Sequence, residues 1–331
     1  MKQDEFLFLS EQDVEQLLRP EDVITAVEQT FRSVHAGRAV YGQVGRLDID
    51  VQKRNFFMTF PTALPDLGVA GVKWFSGFTE GLPGWPFSHG NFLILSDTQT
   101  GSPLALMGAG RITAMRTAGG HAAVAAAALS GPAPKTLAVL GAGAQALHGI
   151  AGFCTLFPSL EEIRVYTRSP ERVATLQRAA GEVPVIPCPT PRQAVEGAEL
   201  ILAATTSKET VLRAEDVDPG ATVLAISAFS DVDPALSERA DKWILGNEQE
   251  DGRNIFDSSV MRQGVTLARE RVYGVLPEIL CGEKPGREKK DEIILYTHMG
   301  MGFFDIACGA AVYRRAREQE IGTSLVLDRF P

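Results

Sequence analysis

Basic runs, paired cysteines and long apolar stretches are all missing from this chain of 331 residues. Lys and Arg together number 32 against 41 Asp and Glu, a formal net charge of −9. Without a run or stripe of cations there is no footprint for a phosphate backbone, which excludes a nucleic-acid partner. The four cysteines, Cys154, Cys188, Cys281 and Cys308, stand far apart with no CxxC pair. They read as scattered buried thiols, and no metal site is expected. No apolar run reaches about 18 residues, so no membrane span is expected. The opening segment is acidic and lacks the apolar core of a signal peptide, which makes the cytoplasm the expected location. Repeats and low-complexity tracts are absent as well.

What is present is an ordinary globular balance, 45% hydrophobic and 22% charged. A chain of this length buries a large core without disulfides or metals. Pro20 and Glu21 open a helix whose apolar residues Val23, Ile24, Val27 and Phe31 keep helical spacing, and Gly37 comes where it should stop. Strand-like runs come next, at 43–49, 55–60, 69–75 and 91–95, with a Gly- and Pro-rich loop before the last. The alanine-rich stretch 111–129 predicts one α-helix. Ser130-Gly-Pro-Ala-Pro134 punctuates it and marks the expected domain boundary.

From Lys135 onward, apolar strands alternate with helices. The strands are expected at 137–140, 163–166, 185–186, 200–204, 222–226, 242–245 and 293–296. That alternation predicts a parallel, doubly wound α/β sheet. Helices are expected from Pro170, over 190–197 and over 302–318.

The strongest motif is Gly141-Ala142-Gly143-Ala144-Gln145-Ala146, a GxGxxA that leaves a strand and opens a helix. Gly141 permits a tight turn, Gly143 lets a pyrophosphate approach the backbone, and Ala146 lets helix and strand pack closely. The free N–H groups of the first turn, around Ala144 and Gln145, favour phosphate. These features predict a Rossmann dinucleotide-binding domain. The end of the next strand reads Tyr166-Thr167-Arg168-Ser169, with no acid to bind ribose hydroxyls. Arg168 can meet a 2′-phosphate with its planar fork, and Thr167 and Ser169 can donate to it. This favours NADP, with NAD the other nicotinamide cofactor such a domain takes. A solvated Arg at a helix start fits the same residues.

Three segments taken together, Ile112-Thr-Ala-Met-Arg-Thr-Ala118, Leu140–Ala146 and Gly300-Met-Gly-Phe-Phe-Asp305, resemble the ornithine cyclodeaminase/mu-crystallin family. The resemblance runs the length of the chain and is strengthened by Ala203–Ser207 and Leu276–Gly282. It implies a homodimer and a discontinuous substrate-binding and dimerisation domain, 1–130 with 303–331, around a Rossmann domain at 131–302. It implies NAD(P)-dependent chemistry on a small amino or imino acid, by reduction of an imine, by amino-acid dehydrogenation, or by cyclodeamination with catalytic NAD+. A binding protein that holds NADPH and a small ligand is the non-enzymatic alternative.

The resemblance assigns Arg46, Lys73 and Arg116 to the substrate carboxylate, and His89 and Thr117 to the cofactor. The residues themselves support two of these. Arg116 stands in a segment otherwise almost wholly Ala, Gly and apolar, and Lys73 lies mid-strand between Val72 and Trp74. Charges in such places must be paired or must face a cleft. Thr205 and Thr206 end the fourth Rossmann strand and Ser227 the fifth, at the edge where such sheets bind ligands. His298 and Met299 close the last strand. In place of a cyclodeaminase's catalytic Asp, the shorter loop after the fifth strand has Phe229. Asp231 is the shifted candidate for that role, or a cap for the segment after it. Lys73 and His298 are the candidate proton donors.

Overall fold

The computed structural model describes residues 5–52, 55–78, 91–207, 209–227, 229, 231–256 and 267–327. The chain divides into two compact units, Met1–Arg116 with Met301–Pro331, and Thr117–Gly300. The first break falls ahead of the Pro-rich punctuation at 130–134. Such punctuation ends a helix but does not say which core the helix joins. Ala123–Leu129, buried on Ala123, Val124, Ala125, Ala126 and Leu129, packs against the helix Ala144–Leu156 and so belongs to the second unit.

The first unit is a mostly antiparallel sheet ordered Thr323–Val326, Glu5–Leu9, Pro103–Gly108, Asn91–Asp97, Val69–Gly77, Asn55–Leu64 and Val40–Tyr41. Gly45–Asp50 also pairs with Asn55–Leu64. Alternation decides its faces. Leu93, Leu95, Ala105 and Met107 are buried, whereas Trp74, Phe92 and Ile94 stand exposed on the opposite side. The helix Gly302–Gln319 covers the buried face so closely that a Cβ on Gly309 would lie 2.2 Å from Leu93. Pro20–His35 lies against that helix, with Phe31 and Phe304 rings 4.9 Å apart.

The second unit is a parallel sheet ordered Val185–Cys188, Glu162–Tyr166, Thr136–Leu140, Leu200–Ala203, Thr222–Ala225, Ile294–Thr297, Lys242–Leu245 and Val272–Val275. The chain leaves Thr136–Leu140 toward one side and later returns on the other, beside Leu200–Ala203. That reversal creates the crevice in which α/β sheets bind ligands. The central strands are buried throughout, which is why they read as continuous apolar runs. The last strand, Val272–Val275, has a Gly in it and was not anticipated.

A helical element also departs from expectation. The stretch read as a single α-helix is α-helical over Gly110–Ala114, π-helical over Met115–Ala122 and α-helical again over Ala123–Leu129. Composition reports helix propensity but not ring size. The wider turn contains Gly119, whose carbonyl oxygen lies only 2.0 Å from where a Cβ on Gly152 would sit. Contact of this closeness leaves no room for a side chain at position 152. Among the described residues no helix is long and apolar enough to cross a membrane.

Candidate functional site

The Gly-rich turn of the second unit separates two kinds of glycine. Gly141 has φ +111°, and a Cβ there would lie 2.5 Å from the carbonyl oxygen of Ala204. The fold itself therefore requires glycine at 141. Gly143 is different: its φ is −85°, and a Cβ would meet nothing within 4 Å. No protein atom accounts for the missing side chain at 143. The open space lies at the N-terminus of the helix Ala144–Leu156, where unpaired N–H groups and the helix dipole favour an anion. Ala146 is fully buried, as close packing of that helix demands.

A cavity of about 580 Å³ opens here, lined among others by Gly141, Gly143, Thr167, Arg168, Ser169, Thr205 and Thr206. A glycine turn, a helix N-terminus and a cation at the far strand end in one cavity fit a dinucleotide. Arg172, Arg192 and Arg213 also border it. Sequence reading missed these three; Arg192, in the helix Pro191–Val195, and Arg213 come from elements later in the chain than the glycine turn and the strand that follows it. Arg192 is held by Asp216 at 2.9 Å and Arg213 by Glu215 at 3.6 Å. Arg168 is exposed on the rim.

Other expected cofactor residues fall differently. Ala144 and Gln145 do not line that cavity, and the Gln145 side-chain oxygen accepts the N–H of Ala118 at 3.1 Å. Thr117 is half-buried. Met299 donates its N–H to Asp251 at 2.7 Å. His89 lies outside the described residues.

Asp231 is 1% exposed, and its oxygens are occupied. It accepts from the Thr205 N–H at 3.0 Å, the Thr205 hydroxyl at 2.8 Å and the Ser227 hydroxyl at 3.1 Å. It ties together the residues that end two strands, which makes it a positioning group. Phe229 is core, edge-on to Trp243 with ring centroids 5.6 Å apart. His298 is completely buried and stacked on His121 at 3.8 Å, while Tyr296 hydrogen-bonds His121. In this conformation His298 presents no surface to a reacting atom.

The first unit holds a second cluster. Lys73 is 3% exposed and lies 2.7 Å from Asp305; Arg116 is 5% exposed and lies 3.2 Å from the same carboxylate. The Thr113 hydroxyl donates to Asp305 at 3.1 Å. Two buried cations thus share one buried anion, and Arg116 Nη1 is shut off from solvent with no hydrogen-bond partner. Such a donor is costly unless something completes it. Burial drives the Lys73 ammonium down to about 8, Arg116 adds to that, and Asp305 opposes it. Burial would raise the Asp305 carboxyl, but Arg116 and Lys73 together hold it below its usual value.

Asp305 carried no assigned role in the sequence reading. Its signal was available: an acid beside Phe303, Phe304, Ile306 and Ala307, as conspicuous as Arg116 among alanines. Arg46 is not brought into this cluster. It is exposed, paired with Asp48 at 2.8 Å and stacked over Phe56 at 4.0 Å.

Comparison with known proteins agrees with this anatomy. The family model "Ornithine cyclodeaminase/mu-crystallin family" matches residues 4–320. A Delta(1)-pyrroline-2-carboxylate reductase of Bacillus cereus is 27% identical over 96% of this chain and 99% of its own. The structure of Thermococcus litoralis Delta(1)-pyrroline-2-carboxylate reductase in complex with NADH and L-proline superposes with a TM-score of 0.83, at 27% identity over 96% of this chain and 99% of that one. The iminosuccinate reductase of Paracoccus denitrificans, in complex with NAD+, shares the fold with a TM-score of 0.84, at 22% identity over 98% of this chain and 100% of that one. The chain belongs to the ornithine cyclodeaminase/mu-crystallin family.

Proposed function

We propose that this protein is an NAD(P)H-dependent reductase of a small α-imino acid, able to run in reverse as an amino-acid dehydrogenase. The observation that carries the reading is the surplus buried cation. Lys73 and Arg116 share Asp305, and Arg116 Nη1 waits for an acceptor. A substrate carboxylate supplies both the missing charge and the missing hydrogen-bond partner. The relatives act on imino or amino acids, and two of the related structures hold NADH or NAD+.

When bound, the reduced nicotinamide supplies hydride to the imine carbon. The chain's own groups do the rest. Arg116 and Lys73 fix the carboxylate, and that positioning contributes much of the acceleration. Arg46 can add a third contact, since an exposed pair such as Arg46–Asp48 is worth only about 0–1 kcal/mol and is readily exchanged. The imine nitrogen needs one proton, and Lys73, brought down to about 8, is charged at neutral pH yet able to release it. Asp231 stays with Thr205 and Ser227 and serves no substrate amine, which speaks against cyclodeamination.

The test is oxidation of reduced nicotinamide by an imino acid across pH. Lys73 must be protonated both to hold the carboxylate and to donate. We expect kcat/KM to be full below about pH 8 and to fall as pH rises through it. A kcat/KM that instead rises above that pH would remove Lys73 from both roles.

Of the two cofactors we propose NADP(H), on Arg168 and the absence of an acid at that strand end. Arg168→Ala should weaken NADPH by about 1.5–3 kcal/mol, roughly 10- to 150-fold, and leave NADH nearly unchanged. An unaltered ratio of the two affinities would place the 2′-phosphate elsewhere or nowhere. We also propose that a second copy of the chain covers the exposed sheet face of Trp74, Phe92 and Ile94.

A further inference from the structure

The sheet register of the first unit places a specific surface beside the proposed carboxylate anchor. Phe60, Lys73 and Leu93 are direct cross-strand partners and form one row. Arg46, Met58, Phe75 and Asn91 are likewise partnered across four strands and form another. Partners share a face, and residues two apart on a strand share it too. The second row therefore lies on the same face as Lys73, about 7 Å along the strands.

The helix Gly302–Gln319 covers the Lys73 row and the row on its other side. A Cβ on Gly302 would lie 2.8 Å from Phe60 Cβ, and one on Gly71 would lie 2.8 Å from Ile306. The helix meets Phe60 at Gly302 and Leu93 at Gly309, so it crosses the strands along those rows, and the row of Met58 and Phe75 lies to one side of it. Met58, Phe75 and Asn91 are accordingly only half-buried. The Phe56 ring extends this surface, 5.8 Å from that of Phe75.

Charge on the row is already balanced. Arg46, at the outer end, is paired with Asp48. Among the described residues the row offers no acid for an ammonium group, and its one cation, Arg46, serves either Asp48 or the substrate's own α-carboxylate, which leaves none for a second carboxylate. At the inner end, Asn91 Oδ1 is inaccessible to solvent and has no hydrogen-bond donor. It matches an N–H of a ligand held alongside.

We propose that Met58 and Phe75 are the floor on which the substrate's side chain lies, with Asn91 accepting the N–H of the protonated imine, so that the imino acid turned over carries an apolar side chain or ring. This rests on the carboxylate reading of Arg116 and Lys73. Asn91 and Met58 are specificity-determining residues here.

The experiment compares two imino acids, the cyclic imine that reduces to L-proline and iminosuccinate, which carries a second carboxylate. In the wild type the cyclic imine should have a kcat/KM at least about 100-fold higher, since a second charge laid on this floor has no partner. Met58→Lys supplies a partner and should narrow the ratio at least about tenfold, with cofactor affinity unchanged. Asn91→Leu should lower kcat/KM for the cyclic imine about tenfold or more without lowering Tm, which separates substrate recognition from packing. Binding of L-proline and L-aspartate to the cofactor-loaded protein, by calorimetry, is the second arm. Tighter L-proline supports the floor even if turnover is slow. Equal or better use of iminosuccinate, with reduction otherwise intact, overturns the floor and spares the reductase reading. No turnover and no binding of either amino acid overturns both.

Discussion

Arg116→Ala should lower kcat/KM for the imino acid roughly 30- to 1,000-fold, corresponding to about 2–4 kcal/mol of lost carboxylate recognition. The expectation comes from counting charges. Deleting one partner of an ordinary buried ion pair strands the other, and costs about 3–5 kcal/mol of stability. Here Asp305 keeps Lys73 at 2.7 Å and Thr113 at 3.1 Å when Arg116 is gone. Removal leaves a balanced pair, so Tm should fall much less than kcat/KM. Arg116→Lys is the sharper variant. It keeps the charge but not the fork, so it should preserve Tm and still recognise the carboxylate poorly. Thermal melts beside steady-state kinetics and a cofactor titration decide the matter. A large drop in Tm with an unchanged KM would make Arg116 a strut and nothing more.

The second large effect is expected at Gly143, with Gly141 as its control. Gly143→Val should leave a folded protein that no longer binds the cofactor, its affinity down by about 100-fold or more. The space into which the side chain projects is empty of protein, and the backbone there is extended, which valine accepts. The helix cap weakens by no more than about 1 kcal/mol. What the new methyls fill is the room a pyrophosphate needs. Gly141→Val should fail differently, by not folding, because φ is +111° and the Ala204 carbonyl stands 2.5 Å from its Cβ. Fluorescence titration and a melt on both variants read the difference. Undiminished NADPH binding by Gly143→Val would move the dinucleotide away from this turn.

These two variants show how unevenly sequence exposes structure. The GxGxxA turn was legible because its geometry is local: strand, tight turn and helix succeed one another in the chain. The parallel sheet was legible because strands buried on both faces must be apolar throughout. Lys73 and Arg116 stood out as charges in apolar surroundings, and the structure does bury both. Their partner did not emerge, because Asp305 lies 232 positions from Lys73 and only the folded chain brings them together.

Other side chains are taken up by partners that the sequence does not show. Asp231 looked available for catalysis in a short polar loop, yet the neighbouring strand end supplies Thr205 to occupy it. Gln145 opens a helix beside the cofactor turn, but its side chain reaches back to Ala118. The π-helical turn at Met115–Ala122 differs from an α-helix in the size of its hydrogen-bonded ring, which alanine content cannot report. The row of Arg46, Met58, Phe75 and Asn91 is invisible until strand register is known, since each residue sits on a different strand.

The central claim is that this chain holds an imino acid by its carboxylate and reduces it at the α-carbon. The most direct measurement tracks isotope from a reduced nicotinamide deuterated at the transferable position. The protein is given that cofactor and the cyclic imine of proline, and the product is analysed by mass and proton resonance. The account expects L-proline carrying one deuterium at the α-carbon, formed in step with cofactor oxidation, and far less of it from Arg116→Ala. Ammonia released from an amino acid with no net change in the nicotinamide, or bound cofactor that never passes its deuterium to any imino acid, would contradict it.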